Sequence, residues 1–417
     1  MNLLKTSILS SLAQLIRIFT GVVVTKVIAV LIGPAGVAVI GQLQSLLNLS
    51  ILLSGDFLKT ALLRFTAQYN DSGDDNNVAD IWSASLKILI VLSLSISTLL
   101  YLFSNEFAIY FLKEESYHII IKTLAFSLPF FVLNSFFLAI LNGLKEIKLY
   151  IYISILINIV SLIVVCSLSY FYGLKGALFA YVTNQSVVFL LTIYLIRNQS
   201  WFKLKNFRKK YFDQISTSKK LLKFSLITFT AIASSSLTIL YIRGFLIESL
   251  SIEAAGIWQA LWTLSNLCIT LITTALGTYL LPTMSGINNK DLLNKEMKES
   301  LKILIPASLF GLGLIYIIRD FIILALYSVE FIMMRDLLEW QLLGALFKII
   351  GWLFSIAFVS QGLVRISVTI EIFFAVLLCV LMILLVEKFQ LDGAVYAFAL
   401  NSFIYLIVVG VIYHKNF

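Results

Sequence analysis

Apolar residues run through this chain in long blocks, and no hydrophilic stretch outlasts the roughly two dozen residues from Arg197 to Lys220. A soluble domain needs on the order of 50 residues or more, so none of ordinary size lies between the blocks. A helix crossing a bilayer needs about 20 predominantly apolar residues, and lipid tolerates only helices or closed barrels. Blocks of helix length therefore predict an all-α integral membrane protein. Composition agrees: 60% of the 417 residues are hydrophobic and 13% are charged, against about a quarter charged in soluble proteins.

Breaks at charges, Gly and Pro predict twelve spans, near 8–31, 39–66, 81–104, 117–142, 149–171, 176–196, 221–246, 256–284, 300–318, 336–359, 364–386 and 393–413. The first block continues past Arg17 to Ile32 without a small-residue cleavage site and reads as a mature helix rather than a signal peptide. An even span number places both termini on one side. With the termini inside, nineteen of the 31 Lys and Arg residues face inward, six face outward and six fall within spans. The positive-inside rule then makes both termini cytoplasmic. The acidic inner loop from Asn70 to Asp80 runs against that trend.

The two halves repeat each other. Leu174-Lys-Gly-Ala-Leu-Phe-Ala-Tyr181 matches Leu391-Asp-Gly-Ala-Val-Tyr-Ala-Phe398 at an offset of 217, Gly143-Leu144 matches Gly362-Leu363 at 219, and Ala35-Gly36 matches Ala255-Gly256 at 220. Six spans per half keep the same orientation, so the expected arrangement is two six-helix bundles related by a pseudo-twofold axis along the membrane normal, with a central cavity. The expected lobes are 1–196 and 221–417, joined by a basic cytoplasmic linker, 197–220, that reads as an orientation signal attracted to anionic lipid.

Ionisable groups within spans cost about 2.5 kcal/mol or more near the bilayer centre and mark function unless they reach the headgroups. Lys87 lies near the inner end of its span and reads as snorkelling. Arg17, Lys26, Lys59, Arg243 and Lys348 oppose Asp56 and Glu371, an excess of three positive charges. Lys26 and Arg243 lie toward the outer ends of their spans, and Arg17 and Lys26, nine residues apart, point to opposite faces of one helix. A cavity with this balance prefers an anion. Arg offers a forked donor pair and Lys a compact charge, so a phosphate or pyrophosphate headgroup is the chemical match. Asp56 and Glu371 either balance the empty cavity or bind a coupling H+ or Na+.

Other chemistries find little support. Cys166, Cys268 and Cys379 stand singly in apolar runs, and His118 and His414 have neither the number nor the spacing of a metal site. No GxxxxGK[ST] phosphate loop is present. The net charge of +9 follows from the inward cations rather than from nucleic-acid binding. A membrane glycan polymerase or glycosyltransferase needs paired carboxylates or a sizeable outer domain; the outer loops are short, and Glu114-Glu115 reads as solvated surface. Trp258, Trp262 and Trp340 read as interface anchors, and Pro129 and Pro306 as helix kinks.

Four motifs add a family likeness. Gly33-Pro-Ala-Gly36, Gly256-Ile-Trp-Gln259, Tyr279-Leu-Leu-Pro-Thr283 and Met334-Arg-Asp-Leu-Leu-Glu-Trp-Gln341 resemble the Wzx-type lipid-linked oligosaccharide flippases, in particular the lipid III and O-antigen translocase branch of the multidrug/oligosaccharidyl-lipid/polysaccharide exporter superfamily. The resemblance spans essentially the whole chain. It implies translocation of an undecaprenyl-pyrophosphate-linked oligosaccharide across the bacterial inner membrane, without catalysis or a cofactor, with the downstream polymerase and chain-length regulator as candidate partners. It also implies cavity roles for Arg17, Lys26, Arg243 and Lys348. An ion-coupled multidrug antiporter of the same superfamily shares the fold, but cationic drugs call for a negative cavity, the reverse of the count here.

Overall fold

The computed structural model describes residues 3–203, 207, 215–287 and 289–417. Among them every regular element is a helix: α1 (Leu3–Leu53), α2 (Lys59–Asp71), α3 (Asp75–Leu102), α4 (Ser104–Phe107), α5 (His118–Gly143), α6 (Ile147–Ile196), α7 (Ile215–Ser249), α8 (Ile252–Ser285), α9 (Lys290–Ile317), α10 (Arg319–Leu326), α11 (Met334–Ser360) and α12 (Val364–Asn416), with short 3-10 and π turns between some of them.

Eight helices are long and apolar enough to cross a membrane, and three of these segments run 42, 50 and 52 residues, about twice the length a crossing needs. Each contains one residue with left-handed φ: Gly33 in α1 (φ 72°), Gly173 in α6 (φ 56°) and Gln390 in α12 (φ 52°). Such a residue redirects the chain, so each long helix is two crossings joined at a tight turn. Counting those three twice gives eleven crossings among the described residues; α7, 35 residues long, is the helix over the seventh of the twelve apolar blocks. Helices α5 and α9 continue through Pro129 and Pro306.

The repeat is written into the backbone. Gly173 and Gln390 lie 217 residues apart, and so do Gly176 and Gly393 three residues later. A methyl group on Gly176 would sit 2.0 Å from the carbonyl oxygen of Leu168, and one on Gly393 would sit 2.2 Å from that of Leu385. Only a glycine lets either turn close. The turn before the fifth and eleventh crossings keeps the same offset: Leu144 N–H donates to Ile140 O and Glu146 N–H to Leu141 O, as Gln361 N–H does to Ala357 O and Leu363 N–H to Phe358 O. Lys145 and Gly362, at φ 60° and 72°, hold the left-handed position. The dipeptide match at 219 is therefore out of register. Gly143 serves close packing instead, since a methyl there would meet the Thr66 side chain at 2.7 Å.

The second crossing departs from the expected single helix over 39–66. It stops at Leu53, turns at Gly55 (φ 107°), makes a 3-10 turn over Asp56–Leu58 and restarts as α2 at Lys59. In the sequence the break coincides with Ser54-Gly55-Asp56, a turn-forming triplet inside the block. Non-helical backbone at membrane depth is tolerated where it is buried in protein or lines a cavity.

The chain forms two compact units, residues 1–32 with 42–236, and residues 33–41 with 237–417. In the first unit α5 packs against α2, α3 and α6. In the second, α11 packs against α8, α9 and α12. Segment 33–41 joins the second unit through close approach: a methyl on Gly256 would lie 1.9 Å from Pro34 O, and one on Gly41 2.9 Å from Arg243 Nε.

Candidate functional site

In the first unit, three charges expected from sequence line one cavity of about 570 Å³. Arg17 comes from the first crossing and is exposed, Asp56 opens the 3-10 turn, and Lys59, also exposed, begins α2. The break at Gly55 thus separates Asp56 and Lys59 onto two elements, whereas their spacing predicts a pair on one helix face. The Asp56 carboxylate accepts a hydrogen bond from the Ser135 hydroxyl of α5. With Asp56 engaged there, Arg17 and Lys59 leave the cavity one positive charge in excess.

The remaining wall is mixed: Ile51, Phe131, Leu138, Ile151 and Ile157 give it apolar surface, and several neutral polar side chains face it as well. Tyr150, Ser154 and Asn158 follow each other at four-residue spacing on α6, one face of the helix. Ser154 Oγ donates to Tyr150 O at 2.8 Å and Asn158 Nδ2 to Ser154 O at 2.7 Å. Asn134 Nδ2 donates to Gln185 Oε1 at 3.1 Å, and Thr192 Oγ1 donates to Asn134 Oδ1 at 2.8 Å, tying α5 to the second part of α6. Buried amides fixed in this way hold a cavity wall in one geometry. The sequence reading, which followed charges, passed over these residues. Their signal was present as the i, i+4, i+8 polar spacing within an apolar block.

Lys26 does not line this cavity. It borders a separate depression with Val27, Val30, Leu31, Cys166, Ser167, Tyr170 and Phe171, an almost wholly apolar setting.

The second unit treats its cations differently. Arg243 is only 2% exposed. Its Nε and Nη2 both donate to Gln259 Oε1, at 3.1 and 2.5 Å, and Gly41 leaves room for the guanidinium. Snorkelling, the simplest reading of a cation near a span end, is therefore not its environment. Lys348 is half-buried, with Nζ 3.9 Å from the centroid of the Tyr405 ring. The Tyr405 hydroxyl lies 2.5 Å from Ser355 Oγ, and Gly351 lets the ring approach α11, since a methyl there would stand 2.6 Å from Tyr405 Cδ1. Glu371 is exposed on α12. Trp258 is fully buried and stacks on Trp262 at 5.5 Å, which meets Phe398 edge-on at 5.3 Å. Trp258 is a packing residue rather than the expected interface anchor; Trp340, 43% exposed, lies against Tyr396.

Residues 3–288 match the family described as "Polysaccharide biosynthesis protein". The lipid III flippases of Escherichia coli (strain K12) and Shigella flexneri are each 24% identical over 410 residues, covering 97% of this chain and 96% of theirs. Among solved structures, an inward-facing multidrug resistance MATE family transporter of the MOP superfamily superposes with a TM-score of 0.81 at 16% identity, covering 96% of this chain and 94% of its own. A MOP superfamily transporter from Pyrococcus furiosus, described as having a binding pocket of reverse polarity, gives 0.72 at 16% identity, covering 99% and 94%. These likenesses establish a MOP-type transporter fold for the chain.

Proposed function

We propose that this chain, which belongs to the polysaccharide biosynthesis protein family, is a flippase that moves an undecaprenyl-pyrophosphate-linked oligosaccharide from the cytoplasmic to the periplasmic leaflet of the bacterial inner membrane by alternating access. Both termini are then cytoplasmic, and the moving bodies are the lobes 1–196 and 221–417. The observation that carries this reading is the cavity of the first unit, where Arg17 and Lys59 face open space while Asp56 is engaged by Ser135.

Position supports the assignment. Arg17 lies 16 residues before the turn at Gly33 and Asp56 lies 23 after it, or ~24 and ~34 Å along the helices at 1.5 Å per residue. With Gly33 on the outer side, the cavity sits in the inner half of the bilayer, where a headgroup enters from the cytoplasm. Arg17 takes phosphate oxygens through its forked N–H groups, and Lys59 supplies a compact positive charge. The amides and hydroxyls of Asn158, Gln185 and Ser154 offer hydrogen bonds to the first sugar. Lys26, Arg243 and Lys348 then act from outside this cavity, Lys26 beside an apolar surface suited to an isoprenoid chain.

The carrier leaves its cargo chemically unchanged and works without a cofactor. Return of the empty carrier is coupled to H+ or Na+ at Asp56, which accepts from Ser135, or at Glu371. Release on the outer side delivers substrate to the polymerase and chain-length regulator. A multidrug antiporter function is disfavoured by the positive excess in the cavity.

The test is reconstitution of the purified protein in liposomes with an undecaprenyl-pyrophosphate oligosaccharide and a leaflet-specific probe of the glycan. Transfer of intact glycolipid is the expected result. A lengthened glycan or a hydrolysed pyrophosphate would assign an enzyme instead, and transport of lipophilic cations without transfer of glycolipid would assign the antiporter.

A further inference from the structure

A second polar cavity of about 530 Å³ lies at the opposite end of α2, lined by Asn70, Asp75, Asn76, Ser200, Trp201 and Lys203 among others. It collects part of the acidic loop that runs against the cation trend, and two of the four acids of that loop, Asp71 and Asp74, have a structural use. Lys145 Nζ donates to Asp71 at 2.6 Å, tying the loop to the turn after α5. Asp74 caps α3, accepting from Asn77 N–H at 3.1 Å and from Asn77 Nδ2 at 2.6 Å. Of the other two, Asp75 lines the cavity: it opens the first turn of α3, is exposed and has no side-chain hydrogen-bond or ion-pair partner among the described residues.

Opposite it stands an aromatic wall fixed before any ligand arrives. Trp82, 2% exposed, donates its indole N–H to Thr66 Oγ1 at 3.0 Å. Trp201 meets Trp82 edge-on at 5.7 Å and Phe202 at 5.9 Å, and Phe207 stacks on Trp82 at 5.6 Å. The start of the linker is thereby docked on the first unit, and the Trp201 ring is held in a defined orientation.

The chemistry selects the ligand class. Among the described residues Asp75 and one cation, Lys203, line the cavity, and one carboxylate is too little for a metal cation. Carboxylate, amide, hydroxyl and ammonium groups converging beside an aromatic face match a ligand that donates and accepts along its edge and offers a C–H face to a ring. We propose that this cavity binds the sugars of the carried glycolipid that lie beyond its pyrophosphate, on the cytoplasmic side, before transport. The proposal rests on the flippase reading and adds to it a second, glycan-reading subsite. The geometry fits: Lys59 and Asn70 mark the two cavities 11 residues apart on α2, ~16 Å along its axis. Gly143 packed on Thr66 closes the α2–α5 seam between them, so the glycan reaches the second cavity over the protein surface.

The test compares two lipids in proteoliposomes: the host's own undecaprenyl-pyrophosphate oligosaccharide, and the same lipid trimmed enzymatically to its first sugar. Asp75→Asn, which keeps an acceptor but loses the charge, and Trp201→Ala, which loses the aromatic face, are expected to slow the full-length glycolipid roughly three- to tenfold and to leave the one-sugar lipid unchanged. Trp201→Tyr, which keeps an aromatic face, should restore most of the rate. Equal slowing of both lipids, or of neither, would overturn the proposal while leaving the flippase reading intact. Failure of the unsubstituted protein to move either lipid would overturn both.

Discussion

In the unit formed by residues 1–32 and 42–236, Arg17 and Lys59 are exposed and line an open cavity; in the unit formed by residues 33–41 and 237–417, Arg243 is buried against Gln259 and Lys348 rests on the Tyr405 ring. Both units carry the same 217-residue backbone register, down to the glycines that close equivalent turns. The difference lies in the neighbours. A guanidinium finds a buried place where Gly41 opens space and Gln259 supplies an acceptor, and an ammonium where Gly351 admits an aromatic ring. Where the backbone breaks at Gly55, the cations have open space before them. The same charge in the same kind of span thus holds a fold together in one unit and is free to meet a ligand in the other.

The largest expected effect of breaking this contrast is on stability in the second unit. Arg243→Ala removes a fully buried side chain and takes the guanidinium from Gln259 Oε1, leaving Gln259 only its Thr263 contact among the described residues, so a loss of about 3 kcal/mol is expected, seen as a lower unfolding temperature and reduced membrane abundance. Arg17→Gln and Lys59→Gln should do the opposite. Each loses a charge-assisted contact of roughly 1.5–3 kcal/mol, about a tenfold to hundredfold drop in apparent affinity for glycolipid, while the unfolding temperature stays within error. Arg17→Lys should fall between, because the charge survives and the fork does not. Lys348→Gln sharpens the comparison at a smaller scale: loss of the cation–π contact is worth ~1 kcal/mol and should appear in thermal unfolding. The smallest change tests the repeat itself. Gly173→Ala should destabilise and Gln390→Gly should stabilise, each by roughly 1 kcal/mol, since both positions hold a left-handed φ that only glycine adopts freely.

The all-helical membrane class, the internal duplication and the positions of the intramembrane charges were legible in the sequence because each rests on a local rule: the apolar length of a crossing, a recurring string, the cost of a charge in lipid. The Gly55 break was not read, because Ser54-Gly55-Asp56 can also sit within a membrane helix and tertiary packing decides that this one stops. Nor was the fate of each cation, which depends on residues far away in sequence. Arg243 is housed by Gly41 and Gln259, and Lys348 by Tyr405. The Gly143-Leu144 match misled because a glycine can serve close packing as well as a left-handed turn, and the turn position itself is held by Lys145. Asn134, Ser135 and Gln185 escaped because neutral polar residues are common in spans, and their convergence appears only when α5 and α6 are packed together.

The central claim, that the open cavity of the first unit holds the pyrophosphate headgroup, is tested most directly by ligand protection at its wall. Ser154, half-buried beside Asn158, is replaced by Cys, and its labelling by a water-soluble maleimide is followed in proteoliposomes with and without undecaprenyl-pyrophosphate glycolipid; the parent chain, with its three native cysteines, sets the background. The account expects glycolipid to slow labelling severalfold, and expects Arg17→Gln in the same chain to abolish the protection. Labelling that glycolipid leaves unchanged, in a preparation that still transports it, would contradict the claim and move the headgroup site elsewhere in the protein.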